Sequence, residues 1–261
     1  MVNIFDDSLA NRVRHKILEF AYDSGEGHVA SSFSIVEILI EIYYSIVTHE
    51  QHVDFRSLVL SKGHAVFALY GLMSQIPELR SHVERKVALE GSSMIGHVPK
   101  LPELGLFFGT GSLGHGLPHA LGVAFDRLDR GINDRVHVIV GDGEANEGTF
   151  WESLNILQKF PELPISIYID ANGSTSRAIP EHGIKQTVIE IWGASECNGH
   201  NRSELRSCIA TSREKSEASL LWCNTIKGYP LCEIMNSPSW HHKAPTLEEF
   251  QQFSNKLLNE K

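Results

Sequence analysis

The chain has 261 residues, 42% of them hydrophobic and 21% charged, enough for one large α/β domain or two small ones, burying roughly 70–75% of the unfolded surface. A net charge of −9 at pH 7 argues against a general nucleic-acid or anionic-membrane binder, since both need a basic face. No apolar run approaches the roughly 18–20 residues that span a bilayer, and the N-terminal segment lacks the features of a signal peptide, so a cytoplasmic protein is expected.

Leu9, Val13, Ile17, Leu18 and Ala21 fall at helical spacing and predict a helix over residues 8–23. Ser34, ahead of the apolar run 35–47 and three residues before Glu37, reads as the capping box of a second helix. Residues 57–60 read as a short strand ending in Ser61-Lys62-Gly63-His64, and residues 65–75 as a helix. The glycine- and proline-rich stretch 91–116 is expected to be a long loop of the kind that carries function. A helix is predicted over 117–129. Two β-type runs, 135–140 and 165–170, flank a helix over 147–159. A further helix over 183–192 leads through a short segment to Cys197-Asn198-Gly199-His200, and residues 219–225 form a strand candidate. The last element is an amphipathic helix over 246–258, with Thr246 as N-cap before Glu248 and Glu249. This alternation, with no repeat or linker, predicts a single α/β domain over 1–261. It is expected to be a doubly wound, mostly parallel sheet with helices on both faces. Cys197, Cys208, Cys223 and Cys232 show no C-x-x-C spacing and read as buried thiols of a reducing compartment.

The chemistry concentrates at two strand ends. One β-type run ends in Gly141-Asp142-Gly143, and the next in Asp170-Ala171-Asn172-Gly173. In open parallel sheets, ligands sit outside the carboxyl ends of the strands. A carboxylate from Asp142 and an amide oxygen from Asn172 suit a hard cation such as Mg2+, and the backbone carbonyl of Ser174 is a third candidate ligand. Gly143 and its neighbours let backbone N–H groups approach a phosphate. Asp142 alone could be a helix cap and Asn172 a turn residue. Together, at two strand ends, they favour a metal–diphosphate clamp. Glycine–histidine pairs recur at His28, His64, His97, His115 and His200, with His241 following Trp240. These are expected to gather near the clamp, where imidazoles can bond phosphate or sugar hydroxyls and move protons. A zinc site lacks its usual short ligand spacing. Glu144 and Glu147 suit a helix N-terminus, or Glu147 could act in proton transfer at a subunit interface. Spacing does not choose between these.

Five segments, in order over nearly the whole chain, narrow the reading: SGEGHVASSFSIVEIL (24–39), LSKGHAVFALYGLM (60–73), GTGSLGHGLPHALGVA (109–124), GDGEANEGTFWESLNIL (141–157) and TIKG…SWHHKAPT (225–246). They resemble the N-terminal, diphosphate-binding domain of transketolases, within the thiamine-diphosphate-dependent superfamily. The resemblance implies a thiamine-diphosphate fold and a cofactor held with Mg2+, for which Ca2+ or Mn2+ can substitute. It implies metal ligation by Asp142, Asn172 and the Ser174 carbonyl. His64, Gly143, Asn172 and His241 would contact the cofactor's diphosphate end, and Gly111 and Leu113 its aminopyrimidine and thiazolium. His28 and His97 would meet the sugar hydroxyls and assist proton transfer, and Glu147 would join an acidic network between two cofactor sites.

The implied reaction moves a two-carbon ketol unit from a ketose to an aldose, commonly as sugar phosphates. A complete transketolase continues into pyrimidine-binding and C-terminal domains that 261 residues leave no room for. The resemblance therefore implies one subunit of a split transketolase, active only with a pyrimidine-domain companion, in an α2β2 assembly. Two departures stand out. Ala30-Ser31 replaces a usual pair of glycines, and Ser174-Thr175 replaces an apolar residue and a frequent glutamine. A deoxyxylulose-phosphate-synthase-like or 2-oxo-acid-decarboxylating partner chain is the alternative enzyme. A non-catalytic cofactor-binding module is the alternative outside enzymes.

Overall fold

The computed structural model describes residues 4–51, 53–83, 87, 92, 94, 96–173, 182–215 and 217–259. Five strands, β1 (Leu58–Leu60), β2 (Val136–Gly141), β3 (Ile165–Ala171), β4 (Ser195–Asn198) and β5 (Ser219–Asn224), form one sheet in the order β1-β2-β3-β5-β4. Every pairing is parallel. Around it lie α1 (Leu9–Ser24), α2 (Val29–Phe33), α3 (Val36–Ser45), α4 (Val66–Met73), α5 (Pro77–Val83), α6 (Gly116–Asp129), α7 (Gly148–Lys159), α8 (His182–Glu190), α9 (Arg202–Glu214) and α10 (Leu247–Asn259).

Strand periodicity divides the core in two. Val138, Val140, Ile167, Ile169 and Trp222 point to one face, where they pack with Leu117, Leu121, Phe150 and Leu154 of α6 and α7. Ile139, Tyr168, Leu221 and Cys223 point to the other, joining the apolar faces of α1, α3, α4, α9 and α10. Covered on both sides, β2 and β3 are buried at every position, which is why they read as unbroken apolar runs. Charge pins the second layer. Arg14 of α1 pairs with Glu37 of α3 at 2.7 Å, and Arg202 and Arg206 of α9 both pair with the buried Glu41 of α3 at 2.7 Å. No helix among the described residues is long and apolar enough to cross a membrane.

The predicted strands and long helices are present, with three differences. β4, which the sequence pattern marks only as a connecting segment, is an edge strand in which Cys197 alone is buried. α2 and α5 are additional short helices, α2 only five residues long. The capping box at Ser34 does not form. Ile35 occupies the cap position without a side-chain bond, Ser34 Oγ lies within hydrogen-bond distance of Ser31 O at 2.9 Å and donates to Asp170 Oδ2 at 2.8 Å, and Glu37 turns to Arg14. The four cysteines are free thiols, but only Cys197 and Cys223 are buried; Cys232 is exposed.

A capping box does form at α10. Thr246 Oγ1 accepts from Glu249 N at 3.3 Å, and Glu249 Oε2 accepts from Thr246 N at 2.9 Å. Thr246→Ala is expected to lower stability by about 1 kcal/mol, read as a lower urea midpoint with an unchanged slope.

Candidate active site

Parallel pairing brings the carboxyl ends of all five strands to one edge of the sheet, and the site is built there. Just past β1, Lys62 is buried and its ammonium pairs with Asp170 of β3, which is wholly buried. The same carboxylate accepts from Ser34 Oγ at 2.8 Å, Asn172 Nδ2 at 2.9 Å and Thr225 Oγ1. Burial pushes the Asp170 pKa up, but Lys62 and these donors outweigh it and hold the carboxyl below its ordinary range. Because the Asn172 nitrogen is committed to Asp170 and, at 3.4 Å, to Ser34, its amide oxygen faces the opposite way.

Asp142 stands beside it at the end of β2. Its two carboxylate oxygens accept from Gly143 N at 2.7 Å and Gly173 N at 2.8 Å. Burial, and then the neighbouring Asp170 charge, push the Asp142 carboxyl above its ordinary pKa. A carboxylate desolvated next to another carboxylate is stabilised by a cation. With the amide oxygen of Asn172 it makes a hard-oxygen donor set that fits Mg2+. Ser174, the third ligand expected, lies outside the described residues, as does Thr175.

Glu144 corrects the helix-dipole reading. It is buried and accepts from three donors: Ser61 Oγ, Gly114 N at 2.9 Å and Gly141 N at 3.2 Å. It thereby ties the ends of β1 and β2 to the loop that precedes α6. Gly114 adopts φ +80, and a Cβ there would lie 2.3 Å from Thr149 Oγ1 and 2.7 Å from Glu147 Cβ. Thr149 Oγ1 also donates to Gly114 O at 3.0 Å. The loop carrying Gly111 and Leu113 is thus docked on the start of α7. Both residues are exposed, as are Gly143 and Glu147, the latter at the N-cap of α7.

Four of the candidate histidines come together. The His28 ring, held in the left-handed region at φ 66, lies 5.2 Å from His64, 6.5 Å from His97 and 5.6 Å from His241 between centroids. His115 and His200 are elsewhere: His115 is exposed at the N-cap of α6, and His200 bonds Glu37. Sequence reasoning misses His242, which lies nearest His28 at 4.7 Å, although the doubled histidine after Trp240 is a visible signal. It also misses Lys227, which is buried and donates to His241 Nδ1 at 2.9 Å. Lys227 joins the two halves of the site. With Asn172, Gly173, Asn236, Ser237 and His241 it lines a cleft of about 360 Å3. Burial, then His242, His241, His97 and Lys227, push His28 down to about 4. Burial, then Lys62 and His28, push His64 down to about 2. His28, His241 and His242 bring ligand atoms within 4.8 Å of one another. The Lys227 ammonium on His241 nevertheless opposes a cation there, and the pocket favours an anion.

Lys62→Met leaves the Asp170 charge buried without its partner and is expected to cost about 3–5 kcal/mol of unfolding free energy, part of which Asp170→Asn restores in the double variant. A second expectation concerns pH. His28 and His64 have folded pKa values below the ordinary 6.5, so the unfolded chain binds protons more readily. Their contribution is complete above pH 6.5 and is lost as pH falls toward the folded values. The urea midpoint should therefore drop between pH 7 and 5, and His28→Gln should reduce that slope.

Residues 5–259 match the family model described as "Transketolase, thiamine diphosphate binding domain". The chain is 26% identical over 263 residues to an apulose-4-phosphate transketolase subunit of Actinobacillus succinogenes, covering 96% of this chain and 95% of that protein. It is 30% identical over 234 residues to the 6-deoxy-6-sulfo-D-fructose transketolase subunit SqwG of a Clostridium species, covering 84% of each. In structure it superimposes on the transketolase of Campylobacter jejuni with a TM-score of 0.80 at 21% identity, covering 98% of this chain and 43% of that one. The chain belongs to the transketolase family of transferases, of which it carries the thiamine-diphosphate-binding domain.

Proposed function

We propose that this chain is one subunit of a two-chain transketolase, moving a two-carbon ketol unit between a ketose and an aldose. The observation that carries the reading is the meeting of two opposite electrostatic preferences at Asn172 and Gly173: Asp142, bonded to Gly173 N, and Asn172 fit a divalent cation, and Lys227 with His241, lining the cleft together with Asn172 and Gly173, fits an anion. A magnesium–diphosphate group satisfies both at once. Asp142, Asn172 and the carbonyl of Ser174 would hold Mg2+, for which Ca2+ or Mn2+ can substitute. Gly143, His64, His241 and Lys227 would take the diphosphate, and Gly111 and Leu113 the rings. When bound, thiamine diphosphate supplies the carbon nucleophile and electron sink for breaking and making the carbon–carbon bond.

This chain's own part is orientation and proton traffic. His28 and His97, whose rings neighbour each other in the histidine cluster, would bond donor hydroxyls and shuttle their protons. Glu147, exposed beside the docked Gly114 loop, would meet a second chain and link two cofactor sites. Five clustered imidazoles favour a polyhydroxylated donor over a 2-oxo acid. Two relatives covered over most of their length are themselves named as transketolase subunits. This supports a companion chain with a pyrimidine-binding domain, in an α2β2 assembly.

With that companion, Mg2+ and thiamine diphosphate, ketol transfer from a ketose to an aldose is the expected activity. Release of carbon dioxide from pyruvate instead would refute it. Asp142→Ala is expected to lower activity by more than the about 10–100-fold typical of removing a group that merely supports a metal ligand.

A further inference from the structure

His200 shares the glycine–histidine pattern of the site histidines but does a different job. Its Nε2 accepts the backbone N–H of Ile226 at 2.8 Å, so the ring proton is on Nδ1, which donates to Glu37 Oε2 at 3.1 Å. The ring stacks on Tyr229 with centroids 4.0 Å apart and planes 23° from parallel. Arg14 closes the set, pairing with Glu37 and placing its guanidinium 5.4 Å from the Tyr229 ring. Burial pushes the Glu37 carboxyl up, but Arg14 and His200 overcome it and hold the group below its ordinary pKa. The segment from Ile226 to Tyr229 is therefore gripped from behind by α1, α3 and the turn after β4.

The front of the same segment faces the site. Thr225 Oγ1 donates to Asp170, Gly228 N donates to Ala30 O at 3.0 Å, and the Lys227 ammonium reaches His241. Ile226, whose N–H is held by His200, is the residue immediately before Lys227. We infer that His200 is a positioning residue: through Ile226 it sets the backbone from which Lys227 reaches the cleft, and so sets the affinity for a diphosphate anion there. This rests on the anion reading of the cleft proposed above. The task needs one acceptor and one donor nitrogen on a flat side chain. Glutamine can supply both bonds, and phenylalanine only the stacking.

The test compares His200→Phe and His200→Gln with the unaltered chain. Amide hydrogen exchange over residues 225–230 reads the grip, and calorimetric titration with Mg2+–thiamine diphosphate and with pyrophosphate reads the anion. His200→Phe is expected to speed exchange in that segment, leave β2 and β3 unchanged, and weaken both ligands about 10-fold, a loss of about 1.4 kcal/mol. His200→Gln should restore most of both. Unchanged exchange and affinity in His200→Phe would overturn the inference. So would a loss of protection throughout the sheet that His200→Gln does not repair. If the unaltered chain binds pyrophosphate but not thiamine diphosphate, the proposed function fails, and the variants still decide the role of His200.

Discussion

A single buried ion pair underlies the site. Lys62 and Asp170 come from the ends of two strands that are not neighbours, and both are out of water. Desolvating two charges is costly, and their attraction offsets that cost only where geometry is good and the remaining lone pairs are bonded. Here they are. Ser34, Asn172 and Thr225 supply the further donors to Asp170. Two of those bonds have a second effect: Asn172 is turned so that its oxygen faces away from Asp170, and Thr225 anchors the segment leading to Lys227. Asp170 also raises the proton affinity of Asp142, leaving that carboxylate in want of a cation. The setting of Asp142 and Asn172 is a consequence of the pair beneath them.

The cleft beyond is organised by the opposite sign. Lys227 and the imidazoles around His28 repel added positive charge, which helps burial keep His28 and His64 unprotonated near neutrality. An anion entering the cleft would reverse this pressure and draw protons toward the same rings. Histidines so placed respond to what is bound, a useful property for groups proposed to pass protons to and from sugar hydroxyls.

Much of the sheet is legible in the sequence because its strands are buried on both faces, and Val138–Val140 and Ile165–Ile169 can be little else. The edge strand β4 is not, since one buried cysteine among polar residues carries no periodic signal. The two capping-box patterns show the limit more sharply. Ser34-x-x-Glu37 and Thr246-x-x-Glu249 look alike, yet only the exposed one forms. Ser34 finds Asp170 and Glu37 finds Arg14, partners far away in the chain that no local window contains. The site divides the same way. Asp142, Asn172 and the clustered histidines announce themselves by glycine neighbours and strand ends. Lys62 and Lys227 do not, because a lysine reads as a surface residue until its distant partner is known. His200 has the right local pattern and the wrong neighbours.

Glu144 bears on how the molecule acquires its site. Its carboxylate joins Ser61 and Gly114, 83 and 30 residues away in the chain, to the turn it sits in. Contacts that close such long loops forfeit chain entropy before they return any stabilisation. Parallel pairing between β1 and β2 carries the same burden. Helices α1, α4 and α7 can form from local sequence, but the acceptor that joins two strand ends to the loop before α6 is satisfied only after the sheet has closed. These groups thus meet only once that edge of the sheet is assembled, and no contiguous fragment shorter than Ser61 to Glu144 contains all of them.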